Sequence, residues 1–300
     1  MQEPGSIDGA DAVLAGIAAQ PFRLERPERQ TSPFVFASPH SGRLYPPSFM
    51  ATSRLSPLVL RRSEDAYADE LFAGVVGLGA PLLSAEFPRA YVDVNRAASE
   101  LDGQMFEAEL QVDVDAPTAR VAAGLGVIPR VVRDGLEIYR GKLSPSEAEA
   151  RLTRFYRPYH AALAQLADET FARFGAAIVI DCHSMPSGPS VPAIVLGDCY
   201  GASISPALVR QAERAFEACG FSTARNAPYA GGYTTHLYAR REAGIHALQI
   251  EVNRALYLDE ERIEKTSRFA EIRDKLTTAL SRITAFDTTA LRPRPPLAAE

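Results

Sequence analysis

Short, continuous apolar runs alternate along this chain with longer stretches in which apolar residues recur every three or four positions. FVFAS (34–38), PLLSA (81–85), AYVDVN (90–95), AIVID (177–181) and AIVLGD (193–198) have the length and residue types of strands. Continuous apolarity marks strands covered on both faces, and their alternation with helical stretches predicts parallel strands joined by crossover helices. The expected fold class is α/β, three-layered: an open, mixed but mostly parallel sheet with helices on both faces.

Punctuation sets the expected helices. Ser144, Pro145 and Glu147 read as N-cap, N1 and N3 of a capping box opening a long helix toward Phe174, which Pro158 should kink or split. Ser205 and Pro206 start another, which Gly220 can end in a left-handed cap, and Asp259 opens the last. Residues 1–30 are polar, with a short amphipathic piece at Ala12–Ala19, and are expected to cover the body rather than join the sheet; residues 288–300 read as a frayed, Pro-rich tail. No composition break divides the chain, and the near copies VDVNRA (92–97) and IEVNRA (250–255) are too short to argue duplication. Residues 1–300 are therefore expected to form one hydrolytic domain.

With 300 residues, 46% of them hydrophobic, the chain can bury a substantial core. A net charge of -5 offers no electrostatic footprint for nucleic acid or an anionic membrane, and no apolar run approaches the ~18 residues of a membrane span. A small-molecule partner is expected, with the oligomeric state open. The three cysteines, Cys182, Cys199 and Cys219, are odd in number and not closely paired, and the start lacks a basic segment followed by an apolar stretch. Both features point to the cytoplasm. Only three of the 32 basic residues are lysines, so the positive charge is mostly in arginine forks suited to carboxylates.

Several chemistries lack their signatures: there is no G-x-S-x-G, G-x-x-x-x-G-K, H-E-x-x-H or C-x-x-C, and GLGVIPR (124–130) reads as a loop. What remains is a set of polar residues just beyond apolar runs, where open α/β sheets bind ligands. His40 lies in SPHSG, where Pro39 ends the strand and Gly42 permits a tight turn; His183 ends AAIVIDCH, with Asp181 placed to orient its ring. Each alone reads equally as a hydrogen-bonded structural histidine. Two histidines want a carboxylate to complete a catalytic metal site, and Asp65 in SEDAYADELF is the choice, with Glu64 the alternative and Asp69 in the same acidic segment. Glu251 ends the apolar run ALQIE, an odd place for a carboxylate unless it is a general base or is paired with Arg254. In the Gly-rich segment 230–241, Tyr233, His236 and Tyr238 belong to a lid or a fixed surface loop. His160 and His246 are left out of the metal site.

SPHSG, SEDAYADELF, FPRAYVDVNR, YRPYH, DCHSMP and GGYTTHLY followed by GIHALQIEVNRALYLDE together resemble the N-formylglutamate amidohydrolase family, in the family's order, over residues 38–260. The resemblance implies a fold like that of the zinc carboxypeptidases and hydrolysis of N-formyl-L-glutamate to formate and L-glutamate, the last step of one route of histidine breakdown. It implies one divalent metal ion, best zinc, on His40, Asp65 and His183, with Glu251 as general base and Arg89 near the carbonyl oxygen. It gives Asn95 and Arg96 to a substrate carboxylate, and Arg240 or Arg241 is the candidate for the second. The carboxypeptidases take two ligands from H-x-x-E, whereas Ser41, Gly42 and Arg43 follow His40 here, so the acidic ligand must come from further along. Two other readings stand: a related metal-dependent deacylase or peptidase for another N-acyl amino acid, and a non-catalytic small-molecule binding protein, against which the intact His40, His183 and Glu251 argue.

Overall fold

A computed structural model describes residues 11–110, 118–132 and 135–293. The chain divides into two compact units that it enters in turn: Met1–Arg23, Gly42–Glu64 and Ala85–Tyr159 form one, and Leu24–Ser41, Asp65–Ser84 and His160–Glu300 the other. Because each unit draws on three separate segments, no linker or shift in composition marks the division.

The second unit is built on a seven-stranded sheet. Its strands are β1 (Phe22–Glu25), β2 (Phe34–Ser38), β3 (Leu82–Ala85), β4 (Ala177–Met185), β5 (Ile194–Gly197), β6 (Thr223–Arg225) and β7 (Ile245–Asn253), ordered β1-β3-β2-β4-β7-β5-β6. β2 pairs in parallel with β3 and β4, and β4 with β7, while β5 runs antiparallel to β7. The sheet is thus mixed and mostly parallel. Phe22–Glu25 takes an edge of it, so the start of the chain does join the sheet: FRLE is short and half-buried, as an edge strand can be.

β4 and β7 are buried along all nine residues of each, which is why they read as unbroken apolar runs. Their faces nevertheless differ. Ile178, Ile180 and Cys182 of β4, Leu248, Ile250 and Val252 of β7, and Phe34 and Phe36 of β2 enter one apolar core. Two helices close that core by their own periodicity: Pro206–Glu217 buries Leu208, Val209, Ala212, Ala215 and Phe216, and Phe269–Thr284 buries Phe269, Ile272, Leu276, Ala279, Leu280 and Ile283. The other face carries Asp181, His183, Gln249 and Glu251, with the helix Tyr233–Tyr238 packed against β4 and β7. Among the described residues no helix is long and apolar enough to cross a membrane. Cys182, Cys199 and Cys219 are free thiols.

Four expected elements differ. The last helix begins at Phe269, not Asp259; Asp259 accepts the amides of Glu261 and Arg262 in a turn, and the apolar repeat starts only at Phe269. Residues 90–95 are turns rather than a strand, because Asp93 bonds locally, its carboxylate accepting the Asn95 amide at 2.9 Å and the Arg89 Nε at 3.0 Å. Thr288–Leu291 forms a 3-10 turn with Leu291 buried, so the tail is packed that far; residues 294–300 lie outside the described residues. The helix from Pro145 has Ser144 as N-cap, but the Glu147 carboxylate turns to Arg151 and no capping box forms. A π turn, Leu152–Tyr156, separates Pro145–Arg151 from Arg157–Phe174, just where Pro158 withholds its amide from the preceding turn. Gly220 does end its helix in left-handed conformation, at φ 81°.

Within the first unit the centre is a fully buried arginine. The Arg151 guanidinium lies 4.0 Å over the Tyr91 ring, donates to the Tyr139 hydroxyl at 2.7 Å and to the Tyr91 carbonyl at 3.1 Å, and pairs with Glu147. Phe49 and Tyr139 complete the aromatic surround. Removing this cation leaves buried acceptors unpaired and a void between rings. Arg151→Met is expected to lower the free energy of unfolding by about 3 kcal/mol, read from urea denaturation; a loss below about 1 kcal/mol would mean the aromatic cluster holds without it.

Candidate metal centre and active site

β2 and β4 pair with Ala37 opposite Asp181, so the chain leaving β2 brings His40 level with the end of β4, beside His183. The two imidazole rings lie 4.9 Å apart. Asp65 reaches them from the turn before the helix Ala68–Phe72; its amide donates to the His40 carbonyl at 3.0 Å and its carbonyl accepts the Ala68 amide. Tyr67 then takes a left-handed φ of 63°. The sequence places Asp65 at a helix start; the structure sets it three residues ahead, in the turn. Its Oδ2 lies 2.8 Å from the His183 Nδ1 and 3.3 Å from the His40 Nδ1. One ligand atom from each of His40, Asp65 and His183 falls within 4.8 Å of the others, and all three residues are buried. Such a group could hold a metal ion.

Glu64, the alternative, turns away: its carboxylate accepts from the Tyr45 hydroxyl at 2.8 Å and pairs with Arg61 at 3.2 Å, all within the first unit. Burial raises its carboxyl to about 7 against the pull of Arg61.

On the far side of the His183 ring, Nε2 meets the Asp181 Oδ1 at 2.9 Å. The imidazole therefore has a carboxylate at each nitrogen. Burial opposes its charge, but Asp181, and after it Asp65 and Glu251, raise it well above the ordinary histidine value. Asp65 answers in kind: burial disfavours its charge, yet the bonds from His183 and His40 hold it well below the usual carboxylate range. Asp181 has a second contact, with the Thr235 hydroxyl at 3.4 Å.

Glu251 stands directly opposite His183 in the β4–β7 register, and Gln249 opposite Asp181. Partners across a ladder share a face, so these four residues form one polar patch on the face of β4 and β7 turned away from the apolar core. Burial pushes the Glu251 carboxyl up to about 7, with His183 the main opposing influence. Its Oε1 accepts from the Gln249 Nε2 at 2.6 Å. Arg254, the partner considered for Glu251 from spacing, goes instead to Asp65, its Nη2 donating to Oδ1 at 2.9 Å. Sequence reasoning missed Gln249, although period-2 alternation from Glu251 puts it on the same face.

The other assigned residues lie elsewhere. Arg89, Asn95 and Arg96 belong to the first unit, where Arg96 donates to the carbonyls of Asn95 at 2.7 Å and Leu125 at 3.0 Å. Arg241 donates to the Gly201 carbonyl at 2.8 Å, and exposed Arg240 meets Asp168 at 3.4 Å. Both precede Ile245, where β7 begins, six residues before Glu251, or roughly 20 Å along the strand. The structure does not bring them to the His40–Asp65–His183 group. His160 shares a hydrogen bond of 3.0 Å with the Tyr238 hydroxyl, and buried His246 sits on β7 opposite Ile178, on the core side of the sheet. His236 is exposed.

Tyr233, His236 and Tyr238 lie on the helix Tyr233–Tyr238 rather than in a loop. Two glycines answer a close approach here: a Cβ at Gly197, opposite Gln249, would lie 2.5 Å from the Gly231 nitrogen and 2.8 Å from the Ala230 carbonyl carbon, and one at Gly231, where φ is 119°, would lie 2.8 Å from the Cys199 Sγ. Residues 230–231 thus rest on the sheet and lead into the helix that presents Thr235 to Asp181.

Fold and site together define the chain as an α/β protein with a buried His–Asp–His group competent for a cation beside a buried glutamate. Residues 32–258 match the N-formylglutamate amidohydrolase family, and the chain belongs to it. It is similar to the N-formylglutamate deformylase of Pseudomonas aeruginosa, 29% identical over 243 residues that cover 78% of this chain and 85% of that protein. An N-formylglutamate deformylase of Pseudomonas putida is also 29% identical, over 65% of this chain and 71% of its own. The crystal structure of an N-formylglutamate amidohydrolase from Ralstonia eutropha JMP134 superposes with a TM-score of 0.83 at 36% identity, covering 88% of this chain and 97% of that one. The protein is accordingly a hydrolase acting on an amide.

Because residues 230–231 lie on Gly197, Gly197→Ala is expected to lower the free energy of unfolding by about 1–3 kcal/mol through overpacking. Thermal melting checks it; an unchanged melting temperature would show that the segment is not seated there.

Proposed function

We propose that this chain hydrolyses N-formyl-L-glutamate to formate and L-glutamate, using one divalent cation held by His40, Asp65 and His183, in histidine breakdown in the cytoplasm. The observation that carries the reading is the pairing of His183 with Glu251, which sets a buried carboxylate beside the ligating group. The donor set suits such a cation: two imidazole nitrogens and a carboxylate oxygen already face one another, and Asp181 holds the far nitrogen of His183. Zinc fits best, though manganese, iron and cobalt take the same donors.

When bound, the cation would supply Lewis acidity, polarising the formyl carbonyl and acidifying the attacking water. Glu251 takes the proton from that water and returns it to the departing nitrogen. A carboxyl lifted to about 7 by burial suits both halves of the cycle near neutral pH. Gln249, bonded to Oε1, fixes which way the carboxylate presents itself. Arg89 is assigned to the carbonyl oxygen and Asn95 and Arg96 to one substrate carboxylate from the family resemblance; Arg240 and Arg241, the candidates for the second on the ground that two carboxylates call for two cations, stand away from the group.

A second reading, a deacylase for another N-acyl amino acid, draws on one observation: the arginines assigned to the second carboxylate stand at the other end of β7 from Glu251. It keeps the cation site and base and changes only the group that is read.

Formate release from N-formyl-L-glutamate is expected from zinc-loaded protein, to vanish on chelation and to return on adding metal. No release from the loaded protein would move the reading to a different acyl group or amino acid. Glu251→Gln is expected to bind zinc as the unaltered protein does while losing about 100-fold or more in kcat/KM; retained turnover would remove Glu251 from the mechanism.

A further inference from the structure

Of the three members of the candidate cation site only His183 lies within a strand; His40 stands in the turn just beyond β2, and Asp65 lies farthest in sequence from the sheet strands that carry the site. His183 is fixed by the β4 ladder and His40 follows β2 directly, whereas Asp65 stands in the turn before the helix Ala68–Phe72. Its carboxylate must be aimed by what it touches. One oxygen, Oδ2, faces both imidazoles, and the other, Oδ1, accepts from the Arg254 Nη2 at 2.9 Å.

Arg254 is itself tightly held. It follows β7 at once, in the 3-10 turn Arg254–Leu256, which Asn253 caps by accepting the Ala255 amide at 3.0 Å. Its Nε donates to the Ser184 hydroxyl at 3.1 Å and its Nη2 to the Ser184 carbonyl at 3.3 Å. Both Arg254 and Ser184 are buried. A planar guanidinium pinned at two points on β4 and offering a third bond is a rigid rest for a carboxylate, which the point charge of a lysine is not.

We propose that Arg254 is the positioning residue of the cation site: by fixing Oδ1 of Asp65 it commits Oδ2 to the position between His40 and His183. Arg254 contributes no ligand atom of its own and acts on the cation through Asp65. The inference rests on the cation reading given under Proposed function.

The test is the zinc dissociation constant, measured by competition with a chromophoric chelator, for Arg254→Met and Arg254→Lys in the unaltered chain and in an Asp65→Asn background. Arg254→Met is expected to weaken zinc binding about 10–100-fold in the unaltered chain. In the Asp65→Asn background it should cost less than about threefold, since its route to the metal is gone. Arg254→Lys should restore part of the loss. An equal loss in both backgrounds would mark a merely structural role and overturn the proposal, as would an unchanged affinity. Should Arg254→Met fail to fold, Ser184→Ala, which removes the Nε anchor together with the Ser184 contact to the Tyr257 hydroxyl, is expected to give a smaller loss that again disappears with Asp65→Asn; an undiminished loss there would overturn it. Absence of zinc binding by the unaltered chain would instead overturn the cation reading on which the inference stands.

Discussion

The structure depends most on the parallel pairing of β4 with β7. Nine consecutive residues of each strand are in register, and both strands are buried throughout. Because side chains alternate, this ladder sends one set into the apolar core and the other, Asp181, His183, Gln249 and Glu251, to the opposite face. A slip of one residue would exchange the sets and bury four polar groups among Phe34, Phe36 and Leu280. The core that stabilises the sheet thus also fixes the register that assembles the site.

Burying so much charge requires compensation, and the site supplies it in alternation. Two carboxylates flank the His183 imidazole, a guanidinium backs one of them, and a carboxamide holds Glu251. Each charged group meets an opposite charge or a donor, which is the condition for ionisable groups to persist out of water. Glu251 is compensated least. That is why burial lifts its carboxyl to about 7 while Asp65 stays well below the usual range. Two carboxylates on one site with separated proton affinities can divide the work of ligand and base.

The aromatic surround of Arg151 is the corresponding arrangement in the first unit. There the cation rests on the Tyr91 ring and on hydroxyl and carbonyl oxygens rather than on a ladder of carboxylates. Sequence could not reveal it: an arginine seven residues after Ser144 on an amphipathic helix reads as a solvated surface charge, and only the folded chain brings Phe49, Tyr91 and Tyr139 around it.

Apolar patterning was enough to give the α/β class, most of the strands, and the placement of His40, His183 and Glu251 at the ends of apolar runs, because burial on both faces of a strand leaves a continuous signature. Local chemistry misled where side chains bond to nearby backbone: Asp93 broke a strand-like run, and Asp259 made a turn where a helix start was read. The sequence by itself determined which groups were available, namely two histidines, an acidic segment and a buried glutamate. Only the tertiary structure decided which of them meet. Asp65 rather than Glu64 faces the histidines, Arg254 serves Asp65 rather than Glu251, and Arg240 and Arg241 stand away from the group. Each choice depends on bonds between residues as many as 189 positions apart, and local spacing carries no information about them.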